Sequence, residues 1–144
     1  MQAFLKLGAI TATSPIMAAI QFSKLWEGNE IHLRDYEKGF LPAWGELAVL
    51  QEHVWNLMRG VQAVRLGDVL IERIPTGTAT KIKGEGLMRH EIVLQAGPGC
   101  LMRMGKEGIG PETGDVWAWK VLEAAERINE SADDWISLII ELER

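Results

Sequence analysis

The chain has 144 residues, 47% of them apolar and 24% charged, and a formal net charge of −5. That length fits one domain able to bury about two-thirds of its unfolded surface. The acidic balance argues against a nucleic-acid partner, because phosphate binding rests on clustered Lys and Arg.

Cys100 is the single cysteine, which excludes an intrachain disulfide framework and suits a reducing compartment. No apolar run approaches the ~20 residues of a membrane helix, and the start Met1-Gln2-Ala3-Phe4-Leu5 lacks a secretory pattern. The expected location is the cytoplasm, with no membrane partner.

Phe4 to Ile10 is a short apolar stretch that predicts an edge strand. Ser14-Pro15 pairs a capping hydroxyl with proline at the first helical position and predicts a helix ending near Trp26-Glu27-Gly28. His32 to Pro42 mixes charges without a clear period and reads as irregular. Glu46 to Arg59 spaces Leu47, Leu50, Val54, Leu57 and Met58 as a helix does, with Gly60 placed to end it.

From Val64 the pattern turns to β. Val69–Ile74 is β-rich and closes at Pro75-Thr76-Gly77, and short strands are predicted at Ile92–Gln95, Leu101–Met104, Val116–Trp119, Arg127–Ile128 and Trp135–Leu142. Gly97-Pro98-Gly99, Gly105-Lys106-Glu107-Gly108 and Gly110-Pro111 punctuate them as turns. Val121 to Arg127 is helical by propensity, but a strand there fits a short connection within one sheet system. The expected organisation is a helical layer over about residues 1–62 and a β-sandwich or barrel over about 63–144.

Several segments in order and spacing resemble the aspartyl/asparaginyl β-hydroxylase family. They are Leu66-Gly67-Asp68-Val69, Pro75-Thr76-Gly77, Arg89 to Gln95, Gly114-Asp115-Val116-Trp117-Ala118-Trp119, and Asn129-Glu130-Ser131 followed by Trp135 to Leu142. The resemblance implies a jelly roll, the double-stranded β-helix of the cupin superfamily, and in an active member an Fe(II) and 2-oxoglutarate site.

Carried over residue by residue, the family's working positions are altered. Its His-x-Asp metal pair falls on Lys83 and Glu85, and its second histidine on Ala125. A lysine ammonium offers no lone pair and alanine offers no donor. The arginine that clamps the cosubstrate carboxylate falls on Trp135 and the following histidine on Ser137. The Arg-x-His pair of the central strand becomes Arg89 with Glu91, so the arginine alone is retained. His32, His53 and His90 show no ligand spacing to replace them.

The resemblance therefore implies a non-catalytic protein with no cofactor and a protein partner. Similar short proteins occur in phages and mobile elements, so a concrete form is an inhibitor of a host defence complex. An oxygenase with relocated ligands and a small-molecule pocket are the alternatives. Lys83 and Glu85 alternate on an extended strand, which predicts either an ion pair at the old metal site or two solvated charges. Trp135 is expected to pack into the cosubstrate cavity. Trp117 and Trp119 share one strand face and, if exposed, would form a binding hot spot.

Overall fold

A computed structural model describes residues 4–11, 13–82, 88–120 and 125–143. Among them, seven strands form one antiparallel sheet and four a second. The strands are β1 (Phe4–Ala9), β2 (Glu30–Asp35), β3 (Gly39–Phe40), β4 (Arg65–Ile74), β5 (Thr78–Ile82), β6 (Met88–Gln95), β7 (Cys100–Met104), β8 (Glu107–Ile109), β9 (Asp115–Lys120), β10 (Ala125–Asn129) and β11 (Trp135–Glu143). The large sheet runs β1-β9-β6-β11-β4-β2-β3 and the small one β5-β10-β7-β8.

Strands of the C-terminal part alternate between the two sheets: β4 lies in the large sheet, β5 in the small, β6 in the large, β7 and β8 in the small. This winding is a double-stranded β-helix, as expected from the sequence.

Period-2 alternation decides what each strand buries. On β11, Ile136, Leu138, Ile140 and Leu142 join Leu66, Val69 and Ile71 of β4 and Ile92 and Leu94 of β6 in an outer core. That core is covered by Ile16, Met17 and Ile20 of α1 (Thr13–Ile20) and by Leu50 and Val54, which flank and lie within α3 (Gln51–Gly60). The opposite faces enclose an inner core of Phe4, Ile74, Val93, Cys100, Met102, Met104, Trp119, Ala125 and Trp135. Cys100 is thus a small buried side chain at the start of β7.

The turn after β10 is held by Asn129. Its amide nitrogen donates to the Ile74 carbonyl at 2.8 Å and the Asp133 carbonyl at 2.9 Å, while its oxygen accepts from the Ser131 backbone N–H at 2.9 Å. The Asn-x-Ser segment therefore ties β10 and β11 to the end of β4. Gly99 packs under it with φ +107°, and a Cβ there would lie 2.8 Å from the Glu130 backbone.

Four expectations about elements need correction. His32 to Pro42 is not irregular: Ile31 and Leu33 point into the outer core, which draws the charged stretch into β2. The first helix ends at Ile20, well before Trp26. The second helical region is broken into α2 (Pro42–Glu46), a 3₁₀ turn over Ala48–Leu50, and α3. Residues 1–62 are not a helical layer alone, because β1, β2 and β3 extend the large sheet at both edges. The Ala125–Asn129 strand and the β1 edge strand follow the sequence reading.

Candidate functional site

The inner face of the barrel carries charge. From β10, Ala125, Arg127 and Asn129 point inward at alternate positions. Arg127 is fully buried. Its Nη1 donates a very short charge-assisted hydrogen bond to Glu72 Oε1 of β4, and its Nε faces Glu91 Oε1 of β6 at 3.5 Å. The guanidinium carbon lies 5.2 Å from the centre of the Trp135 ring.

Polar contacts continue from there. Ser137 donates to Glu91 Oε2 at 2.8 Å, and the Trp135 indole N–H donates to the Ser137 hydroxyl at 3.1 Å. One cation, two carboxylates, a hydroxyl and an indole thus form a continuous network across both sheets.

Burial pushes the Glu91 carboxyl above its ordinary value of 4.5; the Arg127 charge and the Ser137 hydrogen bond draw it back only in part. A carboxyl with a raised folded-state pKa binds more protons folded than unfolded. Its contribution to stability is full below about pH 4.5 and is lost as pH rises through the folded value. Glu91→Gln should therefore match the parent near pH 5 and gain on it by pH 8. A tenfold change in proton affinity corresponds to about 1.4 kcal/mol, so urea midpoints at the two pH values resolve the effect. Parallel stability–pH curves for the two proteins would contradict it.

The positions singled out from sequence are distributed as follows. Glu91, Trp135 and Ser137 meet in the network, and Trp135 is fully buried as expected. Ala125 lies on the same strand face as Arg127, two residues away. Arg89 also faces inward on β6 but stands nearer the barrel mouth, 3.4 Å from Glu141. Lys83 and Glu85 lie outside the described residues.

The ion network observed inside the barrel is built on Arg127 and Glu72, neither of which the sequence reading assigned. The signal was present in the alternation of Ala125, Arg127 and Asn129, which puts an arginine on the inward face.

Trp117 and Trp119 do share a face, but it is the inner one. Trp119 is 1% exposed and Trp117 is half-buried, with its N–H donating to Asp115 at 3.2 Å. They do not form an exposed hot spot, because that face packs into the inner core, where the Phe4 ring lies 6.3 Å from the Trp119 ring. Exposed aromatic surface lies elsewhere, at Phe40 and Trp55, which flank the half-buried Trp44. Phe40, Trp44 and Trp55 have ring centres 4.7 to 6.2 Å apart, and the Arg34 guanidinium sits 5.2 Å over Phe40.

Among the described residues, the interior does not fit an oxygenase centre. Ala125 has no donor atom, and no three His, Cys, Asp or Glu side chains converge on a point. The interior carboxylates Glu72 and Glu91 already face a guanidinium, whose charge would repel a dication beside it.

No protein-family model matches the chain, and no characterised protein matches it in sequence. Solved structures match it in shape. One is an oxidoreductase of the 2OG-Fe(II) oxygenase family from Burkholderia pseudomallei, with a TM-score of 0.71 at 13% identity over 98% of this chain and 84% of that one. HygX from Streptomyces hygroscopicus, solved with iron bound, has a TM-score of 0.68 at 9% identity over 98% and 82%. The viral collagen prolyl hydroxylase of Paramecium Bursaria Chlorella virus-1, in its 2OG complex, has 0.66 at 13% over 98% and 96%. At such identities the likeness is one of fold, and the fold is that of the 2OG-Fe(II) oxygenases.

Proposed function

We propose that this chain is a non-catalytic binding protein built on an oxygenase-type barrel of the aspartyl/asparaginyl β-hydroxylase kind, with a protein as its partner. One observation carries the reading: the Glu72–Arg127–Glu91 network and the Trp135 ring fill the barrel interior with the chain's own side chains. Arg127 shares a strand face with Ala125, the position of the family's second histidine, and its guanidinium lies 5.2 Å from the ring of Trp135, the position of the family's clamp. A guanidinium and an indole there take the volume in which a 2-oxoglutarate molecule would have to lie. Fold alone does not fix function, so the reading rests on these residues and not on the neighbours.

Support for a protein partner comes from the outer surface. Trp, aromatic and Arg side chains are the groups that carry binding energy at protein interfaces, and Arg34, Phe40, Trp44 and Trp55 bring four together beside the β2–β3 edge. An inhibitor acting on a host complex is one form such a protein takes.

Anaerobic titration with Fe(II) and then 2-oxoglutarate, followed by calorimetry and metal analysis, tests the reading. The expected result is no stoichiometric metal and no heat from the cosubstrate. One tightly held iron per chain, with 2-oxoglutarate binding that depends on it, would overturn the proposal in favour of an oxygenase with relocated ligands.

A further inference from the structure

A cavity of about 430 Å³ opens where β4 begins and β11 ends, lined by Tyr36, Arg65, Asp68, Arg89, Glu141 and Glu143 together with Gly67 and Leu142. Its size lies within the range of small-molecule sites. The cavity is separate from the Arg127 network: none of that network's residues lines it.

Its shape comes from a local irregularity. The β4–β11 register shifts between Ile140 and Leu142, and Gly67 stands where a Cβ would come within 3.2 Å of the Glu141 Cβ and carbonyl oxygen. A side chain at position 67 would crowd this wall. Arg34 fixes the same bend from beneath by donating to the Leu66 and Gly67 carbonyls, both at 2.7 Å. Asp68 is fixed in turn, accepting the Tyr36 backbone N–H at 2.6 Å.

The charge on the walls is mixed. Arg89 stands 3.4 Å from Glu141 and Arg65 3.8 Å from Glu143. Both separations exceed the ~2.7–2.9 Å of a direct charge-assisted hydrogen bond, so each is a longer-range ion pair on the cavity wall. Arg65 lies over the Tyr36 ring at 4.7 Å, which orients its plane.

A purely anionic ligand would face Asp68, Glu141 and Glu143, and a purely cationic one would face Arg65 and Arg89. A molecule carrying both signs can satisfy both sets at once. We propose that this cavity is a binding site for a small zwitterion of amino-acid size, its carboxylate directed to Arg65 and Arg89 and its ammonium to Asp68 and the two glutamates. The proposal goes beyond the non-catalytic reading and does not depend on it, since none of these groups is needed to hold a metal.

Calorimetric titration of the intact protein at millimolar concentrations of glycine, L-glutamate, L-lysine and L-arginine tests it, with succinate and 1,4-diaminobutane as single-sign probes. At least one amino acid should bind about tenfold more tightly than either single-sign probe, and Arg65→Gln should weaken it by about tenfold. Arg65 is more than half exposed, so this variant is expected to fold as the parent does. Lys38→Ala, in a different cavity beside His32 and Asp35, should leave binding unchanged. No heat from any of the four amino acids, succinate binding as tightly, or indifference to Arg65→Gln would each overturn the assignment.

Discussion

Arg127→Met should destabilise the folded chain by ~3–5 kcal/mol at pH 8, the range seen when one partner of a buried ion pair is removed. Methionine approximates the length of the arginine stem, so most of the loss comes from electrostatics and not from a cavity. Glu72 is part-exposed, with 18% of its side chain accessible, and can turn toward water. Glu91 cannot, being fully buried, so it must take up a proton to stay folded. Without Arg127 to lower it, the Glu91 folded-state pKa rises further above 4.5.

The variant should therefore recover part of its stability near pH 5, where protonation costs little. Arg127→Met combined with Glu91→Gln should recover much of it at pH 8 as well, because the second change removes the charge the first leaves unpaired. Urea midpoints for the parent, both single variants and the double variant measure the coupling. Additive effects of the two substitutions would mean that Arg127 and Glu91 do not act together.

The elements most legible in the sequence were those in which apolar alternation and glycine turns agree. Residues 92–95, 116–119 and 135–142 all lie in strands as expected, and the fold gathers them into the large sheet, where their two faces fill two cores. β2 was hidden because Glu30, His32 and Arg34 surround only two buried residues. β5, with Thr78, Thr80 and Lys81, presents little apolar signal and is held by its pairing with β10. Such pairing lies between distant segments and leaves no local trace.

The same limit applied to the site. Position-by-position comparison with a family it resembles singled out Ala125, Glu91, Trp135 and Ser137, three of which meet in the network. It could not find what compensates. In sequence Arg127 is only one residue of a short predicted strand, and its partner Glu72 is 55 residues away in the chain. Only the winding of β4 and β10 into facing sheets brings them together. Single positions that differ from a family pattern can thus be read from sequence, whereas the contacts around them depend on the fold.

Trp135 offers the sharpest test of whether the interior is filled or merely altered. Trp135→Ala should cost ~3–5 kcal/mol, the penalty for emptying a buried aromatic site, with a further loss because Ser137 no longer receives the indole hydrogen bond. Trp135→Arg restores the family's clamp residue and is expected to be worse. The new guanidinium would enter beside Arg127, whose own guanidinium already lies 5.2 Å from the ring being replaced. Two like charges in a water-poor interior repel strongly, and Glu72 and Glu91 would have to serve both. The expected outcome is a chain that is insoluble or unfolded at neutral pH, with no binding of 2-oxoglutarate in any folded fraction. If instead Trp135→Arg folds as stably as the parent and takes up 2-oxoglutarate, the Arg127 network does not occupy the cosubstrate volume and the barrel is one substitution from a working clamp.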